Sequence, residues 1–312
     1  MRPRTALAFS PAVISNFFAI HNEGLRLIPP DLTRVGATGG GFTLSKGVYT
    51  TAWIMPSSSR GISVAVNGDA DYPARTTRRA VELLLDGAGQ PPLLVELVQT
   101  VEVPIGAGFG SSSASALSAV MAVASALELA MSKEEVASFA HAADIMSHTG
   151  LGTVSSTYDQ SGAALVVHPG GPGVAELKKV KVPAGVRAVT ALLPQKAKPN
   201  LLSSRRMEGK INRLGQAALE RASDLSLESL LAAGHEFAVG LGLMSRGVER
   251  LVEEALGAGA IGASQNMVGN SMHAVVREAE ADRLAARLLS VSNSAKIDSF
   301  HVGGRTAQVL PQ

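Results

Sequence analysis

The stretch Pro104-Ile-Gly-Ala-Gly-Phe-Gly-Ser-Ser-Ser-Ala114 brings together the residue types that hold a phosphate. Gly106, Gly108 and Gly110 strip side chains from alternate positions of a turn. Backbone N–H groups can then face an anion, and only glycine adopts positive φ at little cost. Ser111, Ser112 and Ser113 follow as the opening of a helix, where free N–H groups and the positive dipole end favour phosphate. The pattern predicts a phosphate cradle with Pro104, Gly106, Gly108, Gly110, Ser111, Ser112 and Ser113 as its binding residues.

Such a loop needs a strand to deliver it and a helix to receive it. The apolar run from Leu93 to Val103 reads as the strand, and the small-residue run from Ser111 to about Ala130 as the helix. Upstream, Thr5 to Phe9 reads as a strand followed by a loop holding Phe17 and Phe18. Gly36 to Gly41 reads as a turn. Gly47 to Met55 and Gly61 to Asn67 read as a strand pair joined by Pro56-Ser-Ser-Ser59, and Pro73 to Leu85 as a helix. Ser132-Lys-Glu-Glu135 is a capping box that starts a helix running to about Met146. A polar loop, Gly150 to Gly162, precedes strands at Ala163 to His168 and Val186 to Leu193. A domain seam is expected near Pro183 to Pro199, giving units 1–185 and 186–312. Helices then run over Leu202 to Arg221 and Ser226 to Leu256. The tail alternates a strand near Ile261, a helix at Glu278 to Leu289, and strands at Ile297 to Val302 and Thr306 to Leu310. Strands and helices mix without βαβ regularity, which argues for an α+β fold.

Two other nucleotide signatures fail. No G-x-x-x-x-G-K-[ST] occurs, so a P-loop NTPase is excluded. Gly257-Ala-Gly-Ala-Ile-Gly262 matches G-x-G-x-x-G, but the apolar spacing of Leu251, Val252, Ala255 and Leu256 marks a helix before it. A dinucleotide site needs a strand there, so the segment reads as a helix C-terminus and turn.

Composition narrows the class further. Hydrophobic residues make up 46% and charged residues 17% of the 312, which is an ordered globular chain with one or two cores. The net charge of +2, with no long basic run, gives no case for a nucleic-acid partner. The absence of cysteine excludes disulfides and thiolate metal sites and fits a cytoplasmic enzyme. The amino-terminal Met1-Arg-Pro-Arg4 and apolar residues after it imitate a signal peptide, but Pro11 and Asn16 interrupt them. The run from Ala114 to Met131 contains Glu128 and reads as a buried helix, so no membrane partner is expected.

The phosphate loop resembles the central motif of the GHMP kinases, P-x-x-x-G-[LF]-G-S-S-[AS], matched in order by Pro104, Gly108, Phe109, Gly110, Ser111, Ser112 and Ser113. Four more segments resemble the archaeal pantoate kinases of that superfamily. They are Ser10 to Phe18, Gly36 to Thr51, His148-Thr-Gly-Leu-Gly-Thr-Val154 and Ser264-Gln-Asn-Met-Val-Gly-Asn270. The resemblance implies a ribosomal protein S5-like amino-terminal domain and a ferredoxin-like carboxy-terminal one. It implies ATP and Mg²⁺, and transfer of the γ-phosphoryl group to the primary hydroxyl of a small hydroxy acid. Pantoate is the first expectation for the acceptor, and mevalonate or its phosphates the second. A non-catalytic ATP-binding sensor is the third, and a homodimer is the general expectation for such enzymes.

By the same resemblance, Ser112 would contact Mg²⁺ and Asp144, on the helix before the T-G-L-G segment, would supply its carboxylate. Thr153 stands where the family often has a catalytic Asp. A threonine hydroxyl accepts no proton at neutral pH, so Asp159 becomes the candidate substitute base. Val13 stands where the resemblance would place His. Substrate recognition would fall to Arg34, Arg60, Arg305 and the amides of Asn16, Asn266 and Asn270, since guanidinium and amide groups pair with carboxylates.

Overall fold

The computed structural model of the chain describes residues 4–194, 205–267 and 269–311. The seam expected near Pro183 to Pro199 and the start expected for the helix at Leu202 fall partly outside those residues. The molecule is built on one long hairpin, β1 (Arg4–His21) against β2 (Gly36–Pro56). Contrary to the expected loop and turn, both strands run through Phe17–Phe18 and Gly36–Gly41, and Phe18 pairs with Gly39. Glycine is what permits this. A Cβ at Gly39 would lie 2.3 Å from the Phe17 carbonyl oxygen, and one at Gly41 2.4 Å from that of Ile14. Pro11 is tolerated inside β1 because the register breaks there. Bulges between Pro11 and Val13 and between Ser15 and Phe17 leave Ala12 and Asn16 without strand partners.

β3 (Gly61–Val66) does not pair with β2 as expected. It is carried by α1 (Arg75–Gly87) to β4 (Leu93–Val101), which lies between them, parallel to β3 and antiparallel to β2. This is one crossover unit, the only parallel pairing among the named strands. α2 (Ser111–Ala126) is apolar on all sides because it is covered on all sides, by β1 and β2 beneath and by α1 and α3 (Lys133–Met146) beside it. The Ser132–Glu135 capping box that starts α3 is formed as expected. A short α4 (Thr153–Thr157) interrupts the expected polar loop. β5 (Ala163–His168) and the unanticipated β6 (Glu176–Val180) then complete the first sheet on the β2 side.

β7 (Val186–Leu192) begins a second sheet. α5 (Arg205–Arg221) and α6 (Leu227–Leu241) follow and pack back on β1, while α7 (Arg246–Gly257) covers the second sheet. The single helix expected over Ser226 to Leu256 is two, because Gly242 takes the left-handed C-cap of α6 and Ser245 caps the start of α7. β8 (Gly262–Gln265), β9 (Ser271–Arg277), α8 (Ala281–Val291) and β10 (Lys296–His301) complete an antiparallel sheet ordered β10-β7-β9-β8. That order, with its helix crossings, is the ferredoxin-like arrangement. Finally β11 (Gln308–Leu310) returns to the first sheet and pairs with β1. The fold is therefore α+β, and its last strand crosses back over the 185/186 boundary.

Candidate active site

The loop between β4 and α2 has the backbone that its glycines predict. Gly106, Gly108 and Gly110 have φ of 73°, 84° and 61°. Gly110 is the N-cap of α2 and no side chain caps that helix, so the first-turn amides are free to meet an anion. Two neighbours fix the loop from opposite sides. The Val13 amide, beside the first bulge of β1, donates to the Phe109 carbonyl at 3.1 Å. The Ser271 hydroxyl, at the start of β9, donates to the Ala107 carbonyl at 2.5 Å. A Cβ at Gly108 would lie 2.4 Å from the Asn266 carbonyl oxygen, and one at Gly110 2.5 Å from Val13 Cγ1.

A cavity opens on each side of this loop. The larger, about 390 Å³, lies where the first turns of α1 and α2 converge, and Tyr72, Arg75, Thr76, Ile105, Ser111 and Ser112 line it. The smaller, about 170 Å³, is walled by Val13, Ser15 and Phe17 of β1, Gly39 to Thr43 of β2, Gly108 and Gly110 of the loop, and Thr153. Thr149 lines both cavities. Among the described residues no Asp, Glu, His, Lys or Arg lines the smaller one. The arrangement gives one chamber at the amino ends of α1 and α2, with Arg75, Ser111 and Ser112 at its wall, beside a second chamber that no charged side chain lines among the described residues.

Asp144 lies behind the divide, 1% exposed. Ser113 donates to one of its oxygens and Thr149 to the other at 2.7 Å. Burial pushes the carboxyl up to about 6 from 3.8, and the two hydroxyls oppose that shift. Gly150 makes the room, since a Cβ there would sit 2.7 Å from the carboxylate. Asp144 is thus joined to Ser113 and Thr149, not to Ser112, which faces the larger cavity. Among the described residues no group of three His, Cys, Asp or Glu is placed to hold a metal.

The other candidates divide. Thr153 faces the smaller cavity, 3.3 Å from where a Gly110 Cβ would be. Asp159 does not line it; it is exposed and paired with Lys133 at 2.9 Å. Pro104 and Gly106 shape the loop but line neither cavity, and Arg34 is exposed and lines neither. Arg60 is bound to Asp86 and the Gln90 carbonyl at the outer end of the sheet. Arg305 is exposed on the segment after Gly303, which packs against cavity-lining Gly162. Asn270 is committed elsewhere. It accepts from Ser245 and donates to the Pro194 carbonyl, both at 2.8 Å. Asn16 and Asn266 are fully buried and meet through His273. Three residues of this region were not named individually as site candidates from the sequence: Thr149, Gly150 and His273. The first two stand inside the T-G-L-G segment, whereas a single histidine within the apolar Ser271–Arg277 strand offers no local signal.

Residues 75–165 match the GHMP kinases N terminal domain. Over 301 residues the chain is 29% identical to a pantoate kinase of Thermococcus kodakarensis, covering 92% of each. It is 26% identical over 275 residues to a pantoate kinase of Methanospirillum hungatei, covering 88% of each. It is 29% identical over 209 residues to a mevalonate kinase of Pyrococcus abyssi, covering 62% of each. Among solved structures, a phosphotransferase related to the CoA biosynthesis pathway superposes with a TM-score of 0.83 at 25% identity over 98% of both chains. A homoserine kinase from Cytophaga hutchinsonii superposes with a TM-score of 0.68 at 18% identity, which is a likeness of fold.

Proposed function

From a chain that carries a GHMP kinase N-terminal domain on the GHMP kinase fold, we propose that it transfers the γ-phosphoryl group of ATP to the primary hydroxyl of pantoate, giving 4-phosphopantoate for coenzyme A synthesis. The observation that carries the acceptor is coverage. Pantoate kinases match the chain over 88–92% of their length, and the mevalonate kinases among the relatives over 75% at most.

In this reading the triphosphate lies in the larger cavity on the amides of Gly110 to Ser113, with the dipole end of α2 behind it. Arg75, at the first turn of α1, adds a cation on the opposite wall. Mg²⁺ takes oxygen ligands and keeps several waters. The hydroxyls of Ser112 and Thr149, which line the larger cavity, and the Asp144 carboxylate, which Thr149 meets from behind, would be the oxygen ligands that hold it. When bound, the ion would neutralise charge on the β- and γ-phosphates. Asp144 itself holds Ser113 and Thr149 in one orientation at the divide between the cavities.

The acceptor would occupy the smaller cavity with its branched aliphatic part against Val13, Phe17 and Phe42 and its hydroxyl toward Thr153 and Gly110. Ser15, Thr43 and Ser156 offer neutral hydrogen bonds there, and Arg305 stands by the rim at Gly162. With no proton acceptor lining this chamber among the described residues, the hydroxyl proton passes to a phosphate oxygen or to water. A loose phosphoryl-transfer transition state allows that. Thr153 orients the hydroxyl and takes no proton.

The second reading is a mevalonate-type kinase, favoured by the five mevalonate kinases among the relatives. A coupled assay of ADP release on pantoate, mevalonate, mevalonate phosphates and homoserine separates the two. Release stimulated by pantoate alone supports the first reading. Stimulation by mevalonate or its phosphates replaces it with the second. ATP binding without turnover on any acceptor rejects both.

A further inference from the structure

A buried polar bridge crosses between the two sheets beneath the smaller cavity. Asn16, the residue left over by the second bulge of β1, points away from the cavity that Ser15 and Phe17 on either side of it line. Gly234 of α6 makes room for it, since a Cβ there would lie 2.7 Å from Asn16 Cβ. The Asn16 amide Nδ2 meets His273 Nε2 at 3.3 Å, and His273 Nδ1 meets Asn266 Oδ1 at 2.8 Å. An amide nitrogen can only donate and an amide oxygen only accept, so Nε2 is the acceptor and Nδ1 carries the proton. The three side chains thus define one tautomer and one direction of hydrogen bonding. All three are completely buried.

Stability does not explain this bridge. Asn16 Oδ1 and Asn266 Nδ2 are buried without a partner, and an apolar trio of the same shape would leave nothing unsatisfied. Its attachments do explain it. Phe42, which lines the smaller cavity, stands edge-on to the His273 ring with centroids 5.4 Å apart. Asn266 closes the β8–β9 turn, accepting from the Gly269 amide at 2.8 Å, and its carbonyl packs on Gly108 of the phosphate loop. Met267, the next residue, lines the smaller cavity. One imidazole therefore touches the β1 wall, the β2 wall and the prop of the glycine loop.

We propose that His273 is a positioning residue that sets the phosphate loop and the acceptor cavity in a single register across the two sheets, through Asn266 on one side and Asn16 on the other. This rests on reading the loop as the ATP site. His273 touches neither cavity's contents; it acts through its two amide partners, and its neutral form serves because each ring nitrogen has a fixed role.

The test compares His273→Phe, which keeps a ring against Phe42 but removes both hydrogen bonds, with His273→Gln, whose amide can donate to Asn266 and accept from Asn16. The probe is the non-hydrolysable ATP analogue AMPPCP with magnesium, titrated calorimetrically into the full chain at a temperature where circular dichroism shows each variant folded. The expected result is an AMPPCP Kd raised about tenfold or more in the Phe variant and restored to within about threefold of the parent in the Gln variant. The acceptor KM should follow the same pattern. A folded Phe variant that binds like the parent overturns the proposal, as does a folded Gln variant that binds no better than the Phe variant. If the Phe variant does not fold, Asn266→Leu cuts the same bridge from its other end under the same two criteria. A parent chain that binds no AMPPCP sinks the ATP reading and this proposal together. A parent that binds it beside variants that bind equally sinks this proposal alone.

Discussion

Thr153 faces a chamber without a proton acceptor among the described side chains, and Asp159 is tied to Lys133 outside it. A general base contributes about 10²–10⁴-fold, so its presence or absence is measurable. Thr153→Ala should lower kcat by less than about tenfold, and Asp159→Asn should leave kcat and both KM values within about twofold. A hundredfold loss in the Asp159 variant would restore that residue as the base. Asp144 is different, because both its oxygens hold hydroxyls at the divide between the cavities. Asp144→Asn can accept through one oxygen only and should cost about tenfold or more in kcat. A second prediction concerns pH. Burial holds His273 down to about 3 from 6.5. Between those values the unfolded chain binds a proton that the native chain refuses, so this group's contribution to stability falls as pH falls through 6.5. The limiting slope is about 1.4 kcal/mol per pH unit. Asp144, pushed up to about 6, works the other way below that pH, because the native chain then holds a proton that the unfolded chain has released. The parent curve mixes these two effects with that of His141, which burial also holds below its ordinary value. Urea titrations at pH 7, 5.5 and 4.5 on the parent and on His273→Gln isolate the first, and the variant should gain relative stability as pH falls. Parallel curves would mean that His273 is not held neutral by the fold.

At the level of elements, the glycine loop between β4 and α2 was legible because its signals are local. Glycine spacing, serines at a helix start and a preceding apolar run all lie within twenty-odd residues, and the Ser132–Glu135 box is as local. The long β1–β2 hairpin was not legible. Pro11 and the Gly36–Gly41 run are turn signals unless another backbone approaches closely, and the approach of Phe17 and Ile14 is visible only in three dimensions. Likewise β4 separates β3 from β2, a pairing that strand patterns in one chain do not specify. The break between α6 and α7 had a signal, Gly242 followed by Ser245, that the apolar periodicity on either side concealed. The three loop glycines also differ in a way that spacing does not reveal, and this is testable. A Cβ at Gly106 would meet nothing within 4 Å, whereas Gly108 and Gly110 abut the Asn266 backbone and Val13. Gly106→Ala should therefore cost only the left-handed penalty, about 1–2 kcal/mol, with the ATP KM changed less than about threefold. Gly108→Ala and Gly110→Ala should raise that KM about tenfold or more as well as lowering the melting temperature. Equal effects at all three positions would show that backbone strain, not the close approach of neighbours, decides what the loop tolerates.

Across the whole molecule, the 185/186 boundary is a boundary of sheets more than of folding units. The second sheet starts at Val186 and has its own core, with Val189, Leu251 and Leu288 among its buried members. The first sheet, however, is not closed by the residues before that point. Ile211 of α5 and Leu227, Leu230 and Phe237 of α6 lie in the same buried cluster as Ile14, Phe17 and Phe42, and β11 pairs with β1. The site depends on the same crossing connections, since Ser271 and Asn266 from the second sheet brace the glycine loop of the first. A chain ending at residue 185 would keep the whole matched family segment and all of the loop. It would nevertheless lose the cover of α5 and α6 and the partner of the β1 edge. Such a large aromatic and aliphatic face does not stay exposed in a stable monomer. Expressed alone, residues 1–185 should show no cooperative thermal transition and should bind a hydrophobic dye, with no measurable AMPPCP binding. A sharp transition near that of the full chain would make the first sheet an independent domain. The crossing elements would then serve the acceptor side of the site and not the fold itself.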